Sequence, residues 1–232
     1  MSQRMRKKRH FDERMSACEG LLLARGAGGI LNMKQAAETY RALIDYKAVF
    51  GNDNPVDLEI GCGKGGFVCE LARRNPSRNY IALEMVSNVV ISAMENAYKA
   101  GLTNVRFLNI RAECLPCYIP ENSVENVYLN FSTPLPKLGY ATQRLTHRNF
   151  LAVYENLLKT GGKVIQKTDD RPFFDFSLDE YRACGFELTE LSFDLHEHGN
   201  PDGNIVTEYE QKWVERGLPI HRVVAISPKG KK

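Results

Sequence analysis

Apolar positions along this chain fall into two rhythms. From Val56 onward, short apolar runs of the kind that form buried strands alternate with longer stretches whose apolar residues recur every three to four positions. The pattern predicts strands at 56–60, 79–84, 104–109, 124–131, 163–167, 186–194 and 220–227. Between them it predicts helices at 65–74, 87–100, 146–159 and 173–184, with Gly161-Gly162 ending the third. Upstream, 34–48 predicts a helix with Ala37, Tyr40, Leu43 and Ile44 on one face, after a glycine cluster at Gly26, Gly28 and Gly29. Strands alternating with helices imply an α/β fold, a mainly parallel sheet with helices on both faces. Ligands of such sheets sit beyond the carboxyl ends of the strands. No repeat or linker divides the chain, so residues 1–50 read as an arm and helical lead-in and 51–232 as one domain.

Charge changes this picture at one end only. The net charge of +3 is small, but Arg4, Arg6, Lys7, Lys8 and Arg9 crowd the first ten residues, an arrangement suited to a polyanion. No apolar run is long enough to span a bilayer, and no secretory leader is apparent. The six cysteines read as reduced thiols of a cytoplasmic protein. Cys114 and Cys117 lack the second pair or spaced histidines that zinc needs. His196 and His198 offer two ligands without a third, so no metal is expected.

The strongest local signal is the stretch "VDLEIGCGKGGF". Gly61, Gly63 and Gly66 fit G-x-G-x-x-G between a strand and a helix, which brings a dinucleotide such as NAD into consideration. Glu59, two residues before the first glycine, argues against it. A carboxylate there repels a pyrophosphate and suits a cation, such as the amino group of S-adenosylmethionine. Glu84 ends the next strand, where an acidic side chain accepts ribose hydroxyls in either cofactor class.

Two further stretches belong to the same sheet edge. "KTDDRPFFDFS" follows a strand and places Lys167, Thr168 and Asp169 there. "GNIVTEYEQKW" sets Thr207, Glu208 and Glu210 beside Tyr209 and Trp213, polar groups with aromatics, as recognition of a nucleobase requires. The same residues also spell a helix start, with Thr207 as N-cap and Glu210 closing a capping box. Finally "LNFSTPLPK" takes the chain from strand 124–131 into a turn whose only charge is Lys137.

As an ordered set, "FGNDNPVDLEIGCGKGGF", "NYIALE", "LNFSTPLPK", "RLTHRNFL", "KTDDRPFFDFS" and "GNIVTEYEQKWVERGLPIHR" resemble the bacterial tRNA (guanine-N7)-methyltransferase family. The resemblance implies a Rossmann-like class I methyltransferase domain over 51–232 with a seven-stranded sheet. It also implies S-adenosylmethionine as donor, tRNA as partner and a variable-loop guanosine as acceptor. Glu59, Gly61, Gly63 and Glu84 match the family's cofactor-binding positions, and Lys137, Asp169, Thr207 and Glu210 its substrate-binding ones. A monomer or a homodimer is expected. Three positions depart from the family. Thr133 stands where it has its catalytic aspartate, Leu135 where it has tryptophan, and Arg111 where it has an acid near the adenosyl group. A basic tract is also thinned to Leu138-Gly139-Tyr140-Ala141-Thr142-Gln143. These departures leave a second expectation open, a slow or non-catalytic tRNA-binding paralogue that keeps the cofactor pocket.

Overall fold

The computed structural model describes residues 9–25 and 43–230. Arg4, Arg6, Lys7, Lys8, the glycine cluster and most of the helix expected over 34–48 lie outside the described residues.

Within them, α1 (Phe11–Ala17) and β1 (Leu22–Arg25) precede α2 (Tyr46–Phe50), β2 (Val56–Ile60), α3 (Gly66–Arg74) and β3 (Asn79–Leu83). Next come α4 (Ser87–Lys99), β4 (Val105–Asn109), β5 (Val124–Asn130), α5 (Arg148–Leu157) and β6 (Leu158–Thr168). The chain finishes with α6 (Arg171–Ala183), β7 (Glu187–Ser192), α7 (Glu208–Val214) and β8 (His221–Ile226). They form one sheet in the order β1-β4-β3-β2-β5-β6-β8-β7. Pairings from β1 to β6 are parallel, and β8 runs antiparallel to both β6 and β7.

Strand alternation sends side chains to two separate cores. On one face Leu58, Ile81, Val127, Leu129 and Val164 meet Phe150, Leu151 and Tyr154 of α5 and Phe174, Leu178 and Tyr181 of α6. On the other, Tyr80, Ala82 and Phe107 meet Val68 and Ala72 of α3, Val90, Ile91 and Met94 of α4, and Phe11 and Met15 of α1. Each fully buried residue of this size contributes about 1.5–3 kcal/mol from desolvation, so both helical layers are held by their apolar faces.

The sheet has eight strands rather than seven. The extra strand is β1, which pairs with β4 at the edge (Leu22 with Phe107, Arg25 with Asn109). A four-residue strand carries too short an alternation to stand out in the sequence. Gly161-Gly162 do not end a helix. α5 stops at Leu157, Leu158 already pairs with Val124, and the register then jumps to Asn126 with Lys163. The glycines occupy this irregularity: Gly161 has φ +76°, and a Cβ on Gly162 would lie 2.8 Å from the Lys159 carbonyl oxygen. Leu43 and Ile44 precede α2, which begins after Asp45 caps the Ala48 N–H at 3.1 Å.

Because β2, β3, β4, β5 and β6 are parallel, the residues that follow their last positions gather at one edge. Glu59, Glu84, Arg111, Thr133 and Asp169 come from the carboxyl ends of these five strands or the segments just after them.

Candidate active site

The loop from Gly61 to Gly65 is bent by three left-handed glycines, Gly61 (φ +81°), Gly63 (φ +56°) and Gly65 (φ +79°). Gly61 and Cys62 donate their N–H groups to the Leu83 carbonyl (2.8 and 3.0 Å), which ties the loop to the end of β3. The glycine that packs helix on helix is Gly65, where a Cβ would sit 2.9 Å from the Cβ of Ala93. At Gly66, the third motif position, a Cβ meets nothing within 4 Å. The close-packing glycine thus lies one residue before the third glycine of the motif.

A cleft of about 480 Å³ opens beside this loop. Gly61, Glu84 and Arg111 line one side, and Asn130, Ser132, Thr133 and Leu135 line the other. Glu84 is fixed by the backbone, accepting from Val86 N–H at 2.8 Å and Gly63 N–H at 3.3 Å. Burial raises its pKa. Asn109 steadies the same corner by donating to the Glu84 carbonyl at 2.8 Å.

Glu59 is buried at the end of β2. Its Oε1 accepts from Asn130 Nδ2 at 3.1 Å, whereas Oε2 and the Asn130 Oδ1 are buried without hydrogen-bond partners. Burial pushes the Glu59 carboxyl up to about 7, with Asn130 and the Lys167 ammonium pulling the other way. Two unmatched acceptors, one of them a carboxylate oxygen, are a destabilising arrangement that a hydrogen-bonding cation relieves. The ammonium of S-adenosylmethionine fits this demand, and Glu84 remains placed for ribose hydroxyls. A phosphate fits it badly.

Arg111 does not present a free charge to the cleft. Its guanidinium makes a two-pronged pair with Glu113, at 2.5 Å to Oε1 and 3.2 Å to Oε2. The pair brings no net charge to the wall that would face a cationic cofactor.

The loop after β5 is strained. Phe131 (φ +52°) and Leu135 (φ +49°) are left-handed without being glycine, each at a cost of about 1–3 kcal/mol. Phe131 N–H donates to the Lys167 carbonyl at 2.8 Å, and its ring packs on Tyr209 with centroids 5.0 Å apart. Thr133 is exposed on the cleft wall, and Lys137 is exposed where a 3-10 turn, Leu138–Gln143, begins.

The C-terminal group assembles beside this loop. Tyr209 donates a long bond of 3.4 Å to Asp169 Oδ2, and burial raises the Asp169 pKa. Thr207 caps α7 and Glu210 closes the capping box. The Glu210 carboxylate is fully buried. Oε2 accepts from Lys167 Nζ (2.6 Å) and Thr207 N–H (3.3 Å), while Oε1 accepts from Asn204 (3.0 Å) and bonds His196 Nε2 (2.8 Å). Burial opposes its charge, but Lys167, Asn204 and His196 hold its pKa below the ordinary value. Its carboxylate thus fastens α7 and the 196–205 loop to β6. His196 belongs to this network, and among the described residues no cluster of three or more candidate ligands could hold a metal. Cys114 and Cys117 are buried and not joined in a disulfide.

The sequence pattern does not single out Asn130, places Lys167 only at the sheet edge, and offers His196 only as one of two metal ligands. Lys167 is the last-but-one residue of an apolar strand, and Asn130 closes the apolar run Val127-Tyr128-Leu129. A polar residue at that position was the available signal for both.

A class I methyltransferase is the class that this strand order, glycine loop and pair of acids define. A family model described as "Putative methyltransferase" matches residues 53–223. The chain is 44% identical over 177 residues to the tRNA (guanine-N(7)-)-methyltransferase of Bacillus velezensis, covering 76% of this chain and 81% of that one. It is also 44% identical to the enzyme of the same name from Lachnoclostridium phytofermentans, covering 79% and 86%. Among solved structures, the 16S rRNA methyltransferase KamB superposes with a TM-score of 0.61 at 19% identity, over 80% of this chain and 95% of that one, which supports the fold. The chain belongs to the tRNA (guanine-N7)-methyltransferase family.

Proposed function

We propose that this protein transfers a methyl group from S-adenosylmethionine to N7 of a guanosine in the variable loop of tRNA. The observation that carries the reading is the unmatched acceptor pair, Glu59 Oε2 and Asn130 Oδ1: Asn130 lines the cleft that Gly61 and Glu84 also line, and Glu59 is buried behind it, bonded to the Asn130 amide at 3.1 Å. In this reading Glu59, Gly61, Gly63 and Glu84 hold the cofactor, and Arg111 lines its site neutralised by Glu113. Bound there, the cofactor would supply an electrophilic methyl group on a sulfonium, whose carbon–sulfur bond would break, with the neutral thioether leaving, as N7 bonds to the methyl carbon in line.

Guanine N7 carries no proton, so no side chain has to act as a base. The protein's part is to align the purine and to stabilise positive charge as it moves onto the ring. Phe131, Tyr209 and Asp169 form a surface with one aromatic pair and one carboxylate, suited to a purine's face and edge. Glu210 acts from behind, by fixing α7 and hence Tyr209 and Thr207. Thr133 supplies a hydrogen bond but no charge, and losing one such electrostatic contact costs roughly 10²–10³ in rate. Asp169 is the carboxylate positioned to compensate, since both oxygens of Glu210 are engaged.

The test is methyl transfer to tRNA lacking 7-methylguanosine, with product detected by nucleoside mass spectrometry. Slow formation of 7-methylguanosine supports the proposal. Binding of tRNA and cofactor with no product supports the second reading, a non-catalytic paralogue, which the exposed Thr133 favours. Either role places the protein with its tRNA in the cytoplasm, as a monomer or homodimer. Among the described residues no helix is long and apolar enough to cross a membrane.

A further inference from the structure

We propose that a second cavity, across Asn130 from the cofactor cleft, holds the base of the nucleotide next to the target guanosine, and that this base is a guanine. The inference rests on tRNA being the substrate. The cavity measures about 320 Å³ and lies on the sheet face that carries α3. The helices of that face pack on β3 and β4, whereas over β6 and β8 the roof is formed by residues of the 195–205 segment. Phe67 and Leu71 of α3, Tyr128 of β5 and Ile165 of β6 make an apolar floor, with the Phe67 and Tyr128 ring centroids 5.2 Å apart. Small-molecule sites span about 300–1,000 Å³, so this one has room for a single flat ring system and little more. Asn130 lines both this cavity and the cofactor cleft, so ligands held in the two are neighbours.

The polar groups select the occupant. Four charged side chains line the cavity, Lys167, Arg222, Glu190 and Asp202. Lys167 is fully engaged, donating to Glu210 at 2.6 Å, the Ile205 carbonyl at 2.9 Å and Asn204 at 3.2 Å. Arg222 donates through Nη1 to Glu190 at 2.7 Å. Glu190 has φ +47° where the register between β7 and β8 shifts, a conformation that costs about 1–3 kcal/mol. The irregularity sets a carboxylate against one prong of the arginine fork. Nε and Nη2 of Arg222, and the carboxylate of Asp202, have no hydrogen-bond partner among the described residues. Two cations balanced by two carboxylates favour neither a phosphate nor a cation. What remains open is a pair of donors and a pair of acceptors above an aromatic floor, which suits the edge and the face of a nucleobase. Guanine alone among the four bases offers two acceptors, O6 and N7, to an arginine fork and two donors, N1–H and N2–H, to a carboxylate. A guanine held this way has its N7 covered by Arg222, so it is not the base that is methylated. Its place across Asn130 makes it the adjacent one.

The experiment measures the affinity of unmodified tRNA transcripts in which the nucleotide on either side of the target guanosine carries each of the four bases or none. The wild type is compared with Asp202→Asn, which keeps the side chain's shape without its charge, and Ile165→Phe, which fills the floor. Thermal unfolding and S-adenosylmethionine titration run alongside. In the wild type, guanine at one of the two positions is expected to bind about 5- to 100-fold more tightly than an abasic residue there. Asp202→Asn is expected to lose most of the preference for guanine over adenine, and Ile165→Phe most of the dependence on any base. Cofactor affinity is expected to be unchanged in both. Asp202 is exposed in a loop, so its variant decides the matter if Ile165→Phe fails to fold. Equal binding of all transcripts by the wild type overturns the proposal while leaving the tRNA reading intact. A guanine preference that persists in Asp202→Asn overturns it too. Weakened cofactor binding in Ile165→Phe, with the dependence on the base unaltered, assigns the cavity to the cofactor, with the same consequence. Failure of the wild type to bind any transcript overturns the tRNA reading itself, and this proposal with it.

Discussion

The clearest quantitative consequence concerns Glu59. Its carboxyl sits at about 7 in the empty protein because burial disfavours the anion more than Asn130 and Lys167 support it. Binding an ammonium requires the anion, so the apparent affinity for S-adenosylmethionine falls by a factor of one plus the protonated-to-ionised ratio. That factor is about 1.3 at pH 7.5 and about 11 at pH 6, an eightfold loss of affinity across the interval. The same shift acts on stability. The folded pKa lies above the unfolded value of 4.5, so the native state holds more protons and stability falls as pH rises from about 4.5 through 7. By pH 7.5 the loss is about 3 kcal/mol. Glu59→Gln removes both effects. It is expected to raise the melting temperature of the empty protein at pH 7.5 by roughly 6–12 °C and to abolish tight binding of S-adenosylmethionine. Calorimetric titration at pH 6 and 7.5 measures the affinities, and 5′-methylthioadenosine, which lacks the amino acid portion, serves as the control with no pH dependence. If the wild type binds S-adenosylmethionine equally at both pH values, or if Glu59→Gln melts lower and binds normally, the ammonium assignment is wrong.

Three other perturbations follow from the geometry. Thr133→Asp is expected to raise single-turnover methyl transfer to unmodified tRNA by about 10²-fold; no increase would show that Asp169 already supplies the charge. Lys167→Met strands the buried Glu210 carboxylate and is expected to cost about 3–5 kcal/mol in chemical denaturation, much of it recovered in the Lys167→Met/Glu210→Met double variant; an additive loss would refute a coupled pair. Gly65→Ala is expected to destabilise by about 1–3 kcal/mol through its left-handed backbone and the Ala93 contact, whereas Gly66→Ala should change the unfolding midpoint little.

The parallel core was legible because buried strands and amphipathic helices differ in period, and β2 to β6 bury their apolar runs against helices on both faces. What escaped the pattern was set by pairing rather than by periodicity. β1 is four residues long and exists because the β4 edge offers it a ladder. The glycines at 161 and 162 look like a helix stop, and only the jump in register between β5 and β6 reveals their use. At the site, Glu59 and Glu84 were legible because acids flanking a glycine loop have few structural reasons to be there. Asn130 was not, since its role depends on which way its amide turns, and the bond to Glu59 decides that. Glu210 shows the converse. A capping box and a buried ion pair are both present at this residue, and only the first of them is spelled in the local sequence.

The loop from 131 to 145 draws these strands together. It lacks the acid that its family places at Thr133, yet its backbone is held in two left-handed turns at a combined cost of about 2–6 kcal/mol. The cost is met by specific contacts: Phe131 on Tyr209, Phe131 N–H on the Lys167 carbonyl, and Arg144 on the Leu135 carbonyl. The first two tie the loop to α7 and β6, and the third braces the loop against itself. For attack by a lone pair that bears no proton, alignment supplies about 7–11 kcal/mol of the barrier reduction, against about 3–4 for one electrostatic contact. The larger of those terms depends on the loop's shape, which these contacts hold.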